Sequence, residues 1–341
     1  MERTDNPQLP PEVADEDVSL KTFEFVFKGA APERKRMDVY LASRISDFSR
    51  TFFKKLIEHG AVTVNGAVVK PSYQVKPGDR IVARIPTMLT EPVEPEDIPL
   101  DILYEDDWLI AINKPPDMVV HPAKGHQTGT LVNAAAFHCN KLSSGSGELR
   151  AGVVHRLDRD TSGVILMVKD EMAHQEIAWQ FENRRVEKEY VAICEGRLEL
   201  DNDVIDAPIG PHVRLPERMS VRYDVGREAR TVYQVAERLG PFSIVKCFPK
   251  TGRTHQIRVH LMHIRHPILC DSVYGRRDAV YLSDLTGSER TPNERPLIAR
   301  QALHARRLTI YHPVLKRSMC FEAPIPGDMM ALIGALRAYG A

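Results

Sequence analysis

The chain has 341 residues, of which 43% are hydrophobic and 27% are charged, the composition of an ordinary globular protein with room for two domains. No apolar run approaches the ~18 residues of a membrane-spanning helix, and no C-x-x-C pair occurs among the five cysteines. These features argue against a membrane protein, a disulfide framework and a cysteine-based zinc site, and they favour a reducing cytoplasm. Basic and acidic residues number 46 each, so the net charge alone argues against a nucleic-acid partner.

The charge, however, is unevenly distributed along the chain. Residues 28–60 carry eight lysines and arginines against four acidic residues. Residues 86–113 carry eight acidic residues and no lysine or arginine. The chain with zero net charge therefore contains a basic segment followed by an acidic segment.

Residues 1–20 are acidic and proline-rich and lack the apolar core of a secretory signal, so we expect a disordered acidic tail. Residues 21–86 are expected to form a small domain of two helices and a curled sheet. Apolar residues at helical spacing predict the helices: Met37, Leu41 and Ile45, then Phe48, Phe52 and Leu56. Gly60 is typical of a helix end, Asn65-Gly66 predicts a tight hairpin, and residues 80–85 predict the last strand.

One face of the second predicted helix carries Arg50, Lys54 and Lys55. Such a face suits phosphate binding, although a solvated charged face is an equally good interpretation of the residues alone. The stretch "SRTFFKKLIEHGAVTVNGAVVKPSYQVKPGD" resembles the αL RNA-binding motif, which occurs in a small-subunit ribosomal protein and in several RNA-modifying enzymes. This resemblance covers residues 36–86 and implies that Arg50, Lys54, Lys55 and Asn65 contact RNA.

Residues 87–100, with three prolines and several acids, predict an extended linker, and residues 101–341 predict one large catalytic domain. Its patterns predict a strand, turn and strand in "WLIAINKPPDMVVHP" and a helix capped by Asp170. Further strands are predicted in "VEKEYVAICEG" and on either side of Gly240-Pro241, and a helix is predicted in "THQIRVHLMHIRHP" up to Pro267. Strands outnumber helices and few β-α-β units occur, so the predicted fold class is α+β with a mostly antiparallel or mixed sheet.

Four histidines in one run, His255, His260, His263 and His266, raise the possibility of a zinc site. The run contains no H-E-x-x-H motif, no carboxylate and no cysteine, which favours ordinary polar residues on a partly exposed helix. The chain also has no phosphate-binding or dinucleotide-binding glycine motif and no G-x-S-x-G motif. The sequence therefore gives no indication of a metal, a nucleotide cofactor or a serine nucleophile.

A polar loop lies in "VVHRLDRDTSGVILMV", between Val153-Val154 and residues 164–168, both predicted to be short buried strands. A turn is predicted at residues 161–163. Asp158 and Asp160 share one face if the segment is extended, as an acid and a nucleophile would. Two loop carboxylates in surface ion pairs explain the same spacing.

The segment "HRLDRDTSG" resembles the signature of the RluA/RluD-type family of large-subunit ribosomal RNA pseudouridine synthases. Four further segments occur in the family's order, from about Glu105 to Pro326: "INKPPDMVVHP", "VEKEYVAICEG", "TGRTHQIRVHLMHIRHPILCDSVYG" and "RQALHARRLTIYHP". Asp117 and Cys270 stand where the family commonly has glycine. The resemblance implies a pseudouridine synthase fold, isomerisation of uridine to pseudouridine, and no cofactor.

The resemblance also implies the site residues. Asp158 is expected to be the catalytic aspartate, Arg258 its basic partner, and Tyr190 the aromatic residue that lies against the target base. Leu261 is expected to close the pocket on an apolar side, and Arg156 or His155 to fill the space left by a flipped base or to hold phosphate. The expected partner is large-subunit ribosomal RNA or a pre-ribosomal particle, bound by a cytoplasmic monomer.

Two other functions remain open from the residues. An N-glycosidase that uses Asp158 and Asp160 as a pair predicts free uracil as product. A non-catalytic ribosome-assembly factor predicts that Asp158→Asn has no effect.

Overall fold

The computed structural model describes residues 20–28, 35–45, 48, 50–86, 93–122, 127–144, 150–215 and 218–339. All but the last residue of the predicted acidic tail, and residues 87–92 of the predicted linker, lie outside these ranges. None of the helices in the described ranges is long and apolar enough to span a membrane.

The helices in these ranges are α1 (Met37–Arg44), α2 (Arg50–Glu58), α3 (Leu131–His138), α4 (Glu171–Glu182), α5 (Gln256–His263), α6 (Leu282–Thr286) and α7 (Gly327–Tyr339). The strands are β1 (Leu20–Val26), β2 (Val62–Val64), β3 (Ala67–Val68), β4 (Arg80–Pro86), β5 (Ile102–Glu105), β6 (Leu109–Lys114), β7 (Ser162–Val168), β8 (Glu187–Glu195), β9 (Asn202–Asp206), β10 (Ile209–Pro211), β11 (Met219–Val221), β12 (Arg230–Leu239), β13 (Phe242–Pro249), β14 (Leu303–Tyr311) and β15 (Ser318–Glu322). Contacts divide the chain into two compact units, one of residues 1–98 and 121–153 and one of residues 99–120 and 154–341.

The first unit contains the predicted basic module. A four-stranded sheet in the order β1-β4-β2-β3 packs with α1 and α2 around a core that includes Leu41, Phe53 and Ile81. Asn65 and Gly66 both have positive φ, at 51° and 84°, as a two-residue hairpin of the predicted type requires. The two helices and the hairpin therefore lie where the apolar spacing and turn residues predict them, whereas β1 is not among the predicted strands.

The same unit includes α3, which begins with a capping box formed by Thr130 and Asn133. The Asn133 side chain donates to the Glu94 carbonyl at 2.8 Å, and Glu96 accepts from the Gly129 N–H at 2.9 Å. The described end of the predicted linker is thus extended and bonded to the start of α3.

The second unit is built on a nine-stranded sheet in the order β5-β6-β7-β14-β8-β13-β12-β9, with β15 added beside β14. The β7–β14 pair is parallel and the other paired strands are antiparallel, which confirms the predicted α+β class with a mixed, mostly antiparallel sheet. α5 and α7 contribute to one apolar cluster on this sheet, and α4 to another. β10 and β11 form a separate hairpin.

Three local predictions around the polar loop are wrong. Residues 118–120 form no strand, and Val153-Val154 contributes one isolated bridge residue instead of a strand. The turn lies at Arg159-Asp160, where Thr161 N donates to Asp158 O at 3.1 Å, and Ser162 already belongs to β7. Valine runs predicted strands here, but a run of two valines does not by itself form a paired strand.

Candidate active site

The loop that carries Asp158 leads directly into β7, a strand whose seven residues are all buried. Gly163 (φ 115°) pairs with Ala305 of β14, and Ala305 pairs with Tyr190 of β8. A Cβ atom on Gly163 would lie 2.2 Å from the Ala305 carbonyl oxygen, so no larger residue fits there. This close approach fixes the start of β7, and with it the loop, relative to Tyr190 two strands away.

Arg258 on α5 joins two carboxylates. Its Nη1 donates to Asp158 Oδ2 at 2.9 Å, while its Nε and Nη2 donate to the two oxygens of Asp271 at 2.6 and 2.8 Å. Burial lowers the pKa of Arg258, but the hydrogen bonds and charge of Asp271, followed by those of Asp158, outweigh it and raise the pKa overall. Arg258 is therefore a permanent buried cation beside Asp158.

Asp158 is accessible, whereas its supports are not. Its side chain is 20% exposed, compared with 6% for Arg258 and 0% for Asp271. A carboxylate held on one side by a buried guanidinium and open on the other can act on a bound molecule.

Tyr190 lies on β8 and packs against the apolar cluster that contains Leu261. Burial and then the negative charge of Asp158 raise the pKa of Tyr190 above its ordinary value. The phenol therefore stays protonated near neutral pH and can donate a hydrogen bond, but it cannot serve there as a phenolate base. Leu261 is fully buried beneath this region.

His155 is placed differently from its predicted role. Its Nε2 accepts the Leu166 N–H at 2.9 Å, and its ring stacks on Phe181 with centroids 4.6 Å apart. Burial, and then the charge of Lys188, lower the pKa of His155 to about 3. A neutral imidazole that accepts a backbone N–H and stacks on Phe181 is a poor phosphate ligand, so His155 supports β7 and α4, whereas Arg156 beside it is exposed.

The lowered pKa of His155 predicts an effect on stability. The unfolded histidine (pKa 6.5) binds a proton between pH 6.5 and about 3, and the folded one does not, so His155 makes the protein less stable as the pH falls through this range. In His155→Gln, the amide oxygen can still accept the Leu166 N–H. We expect the unfolding free energy of this variant to fall less steeply than that of the wild type as the pH is lowered. The slope of unfolding free energy against pH should fall by up to about 1.4 kcal/mol per pH unit. Urea unfolding at pH 4.5, 5.5 and 6.5 measures this, and parallel curves for the two proteins would contradict it.

Two further residues hold the loop, and the sequence motifs did not single them out. Lys114, fully buried at the end of β6, donates to the carbonyls of Pro115, Met118 and Arg159 at 2.7–2.9 Å. Burial lowers the pKa of Lys114 to about 7. Arg300 donates to the Asp160 carbonyl at 3.1 Å and to both carboxylate oxygens of Asp328, at 2.7 and 2.9 Å, near the start of α7.

The two positions where glycine is common in the family both have left-handed backbone. Asp117 has φ 59° and Cys270 has φ 58°, a region that glycine adopts without strain. Asp117 accepts a hydrogen bond from Arg159 Nε at 2.7 Å, so it contacts the residue that follows Asp158. This ion pair is a contact that glycine could not make.

The histidines of the α5 run face different partners. His260 bonds the Thr231 hydroxyl and the Ala207 carbonyl, both at 2.9 Å, and His266 lies 3.0 Å from the Glu195 carbonyl. His263 is exposed. His255, which precedes the helix, lies 4.0 Å from Asp158.

In the first unit, the predicted RNA-binding residues have unequal roles. Arg50 donates to buried Asp38 at 2.9 Å, and the Asn65 side chain bonds Asp79 and the Arg80 N–H at 3.1 and 2.9 Å. These contacts hold the module together. Lys54 is 56% exposed and lies 3.8 Å from Glu58, and Lys55 is exposed on the same helix.

Two known protein families match this chain. A model described as RNA pseudouridylate synthase matches residues 108–263, and a model of the S4 domain matches residues 35–81. An RNA pseudouridine synthase of Bacillus subtilis (strain 168), YlyB, is 42% identical over 91% of this chain and 98% of its own length. The chain belongs to the RNA pseudouridine synthase family.

Other pseudouridine synthases of the family cover nearly the same span. Ribosomal large subunit pseudouridine synthase D of Vibrio vulnificus (strain CMCP6) is 40% identical, over 89% of this chain and 91% of its own length. Among solved structures, human RNA Pseudouridylate Synthase Domain Containing 4 is 27% identical with a TM-score of 0.52, covering 69% of this chain and 92% of that one. The enzyme is thus an isomerase acting on RNA with an S4-type RNA-binding module, as the sequence predicts.

Proposed function

We propose that this pseudouridine synthase isomerises specific uridines of large-subunit ribosomal RNA, with Asp158 as the catalytic aspartate and without a cofactor. The observation that carries the assignment of Asp158 is its part-exposed carboxylate, held at 2.9 Å by buried Arg258. Relatives named as large-subunit pseudouridine synthases, at about 40% identity over most of their length, support the choice of RNA.

The reaction breaks the bond between ribose C1′ and uracil N1 and forms a bond between C1′ and C5 of the same base. The C5 hydrogen leaves as a proton and N1 gains one, so atoms and electrons balance within the substrate. No oxidant, reductant or energy source is needed, which agrees with a cofactor-free enzyme.

The side chains around Asp158 suit this chemistry. The Asp158 carboxylate acts on the sugar or the base, and Arg258 holds it in place by a hydrogen bond. The Tyr190 ring stacks on the flipped uracil, with Leu261 supporting the apolar wall. Exposed Arg156 fills the gap left in the RNA or holds phosphate, and flipping the base costs a few kcal/mol.

The test is nucleoside analysis of RNA treated with purified enzyme. Large-subunit transcripts and assembling large-subunit particles are incubated separately, digested and separated by mass-calibrated chromatography. We expect pseudouridine from at least one substrate. Free uracil would instead indicate an N-glycosidase, and unmodified RNA from both substrates would contradict the proposed target.

We also propose that the S4 module binds this RNA through α2 and that the enzyme acts as a monomer in the cytoplasm, where ribosomal RNA is available. Lys54 and Lys55 lie on the exposed face of α2, opposite the face that packs Phe53 and Leu56 into the core. Point charges of this kind hold phosphates without reading bases.

Replacing Lys54 and Lys55 together by alanine should weaken RNA binding for all sequences alike. Each lost phosphate contact lowers the slope of log Kd against log salt by about 0.7–0.9, so we expect a decrease of about 1.5 for the pair. Filter binding between 50 and 300 mM salt measures it. A matched double change of Lys70 and Lys76, also exposed in this module, tests whether α2 is the contact face. An unchanged slope in the α2 variant would contradict the proposal.

A further inference from the structure

His255 occupies an unusual position beside the reacting carboxylate. It directly precedes α5 with left-handed backbone, φ 55° and ψ 23°, a conformation that few residues other than glycine adopt. Its Nε2 lies 4.0 Å from Asp158 Oδ2, too far for a hydrogen bond. The two side chains are 19% and 20% exposed, so both are accessible to a bound molecule.

The hydrogen-bond network around His255 fixes its tautomer. The Tyr274 hydroxyl oxygen accepts the Met219 N–H at 2.9 Å and lies 3.0 Å from His255 Nδ1. Tyr274 is buried, and a hydrogen bond from its hydroxyl to His255 Nδ1 satisfies the hydroxyl proton. We therefore assign Nδ1 as the unprotonated nitrogen and place the hydrogen on Nε2, the nitrogen that lies 4.0 Å from Asp158 Oδ2.

The imidazole is also held neutral. Burial lowers the pKa of His255, and the charge of Asp158 offsets this in part. Arg258 and Arg156 lower the pKa further, and Asp271 raises it. A protonated ring would in addition deprive the Tyr274 hydroxyl of its acceptor. His255 therefore presents a neutral N–H donor at the reacting centre.

We propose that His255 donates its Nε2–H to a carbonyl oxygen of the target uracil and is a further catalytic residue of this enzyme. This inference rests on the proposed function of Asp158. When the C1′–N1 bond breaks, its electron pair stays with the uracil and the negative charge spreads to O2 and O4. A fixed neutral donor stabilises that charge more than it stabilises the neutral base, and so lowers the barrier. No proton is transferred to or from His255, and the charge is removed when C5 bonds to C1′.

Two substitutions separate the donor from the backbone conformation. Asparagine tolerates left-handed backbone, but its shorter amide does not reach the position of Nε2. Glutamine is longer, and its amide N–H can occupy that position. His263→Ala, at the exposed end of α5, is the matched control.

The experiment measures the single-turnover rate of pseudouridine formation at saturating large-subunit transcript, the RNA Kd and the melting temperature of each variant. Loss of one such donor slows comparable reactions about 10²–10³-fold, which we expect for His255→Asn with Kd unchanged within threefold. His255→Gln should recover at least tenfold of that loss, and His263→Ala should match the wild type.

A His255→Asn rate within threefold of the wild type, or a loss confined to Kd, would overturn the role of His255. So would a His255→Gln variant as slow as His255→Asn at equal melting temperature. Absence of pseudouridine from the wild type itself would instead refute the proposed function, so the two failures are distinguishable.

Discussion

Asp158→Asn is expected to abolish pseudouridine formation, lowering the single-turnover rate by at least about 10⁴-fold, the scale on which a central catalytic group is lost. The amide keeps the size of the side chain and can accept a hydrogen bond from Arg258 Nη1, now 2.9 Å from Asp158. It lacks the negative charge that the proposed reaction requires of Asp158. Since Asp158 is part-exposed, the variant should fold and bind RNA as the wild type does.

Asp160→Asn is the matched control, two residues away in the same loop. The backbone carbonyl of Asp160, and not its side chain, is bonded to Arg300, so the loop should keep its shape. We expect this variant to stay within tenfold of the wild-type rate. Equal losses in both variants would favour a carboxylate pair, and unimpaired Asp158→Asn would indicate a different catalytic group.

Arg258→Lys is expected to impair both stability and activity. Lysine keeps the charge but cannot donate to Asp271 through two parallel N–H groups while also reaching Asp158. Asp271 is fully buried, and breaking a buried ion pair costs about 3–5 kcal/mol when one partner is removed, so the partial loss here should approach 3 kcal/mol. The rate should fall by about 10²-fold or more, because Asp158 loses its fixed partner.

Urea unfolding and single-turnover kinetics measure the two effects. Arg276→Lys is the control, since Arg276 is 74% exposed and its ion pair with Glu195 is long, at 3.8 Å. Its unfolding free energy should stay within about 0.5 kcal/mol of the wild type. If Arg258→Lys is equally mild, Arg258 does not organise the site.

Local sequence patterns predicted the fold well where the conformation depends only on residues close together in the chain. Asn65-Gly66 produced the hairpin, Asp170 caps α4 by accepting the Ala173 N–H at 2.9 Å, and Gly240-Pro241 separates β12 from β13. The chemistry in each case lies within a few residues. The valines at 119–120 and 153–154 predicted strands wrongly because strand formation depends on tertiary packing as well as on residue type.

Motif resemblance predicted Asp158 and its partner Arg258, but not Lys114 and Arg300, which hold the loop. Arg300 reaches Asp160 across 140 positions of sequence. His155 and His255 show what the sequence cannot predict, because in the sequence each is simply one histidine in a polar stretch. Burial against Phe181 makes the first a structural residue, whereas Tyr274 orients the second toward Asp158. Those partners are brought together by the tertiary fold.

The bond between Arg300 and Asp328 has a consequence for synthesis of the protein. Residues 154–161 are translated long before Asp328, yet Arg300, which holds the Asp160 carbonyl, is itself oriented by that late carboxylate. A nascent chain that has folded everything up to residue 326 would still lack this brace. We therefore expect catalytic activity to arise late, after α7 has been synthesised and has packed onto the sheet. A chain released before α7 would contain the RNA-binding elements but would lack the Asp328 carboxylate that orients Arg300.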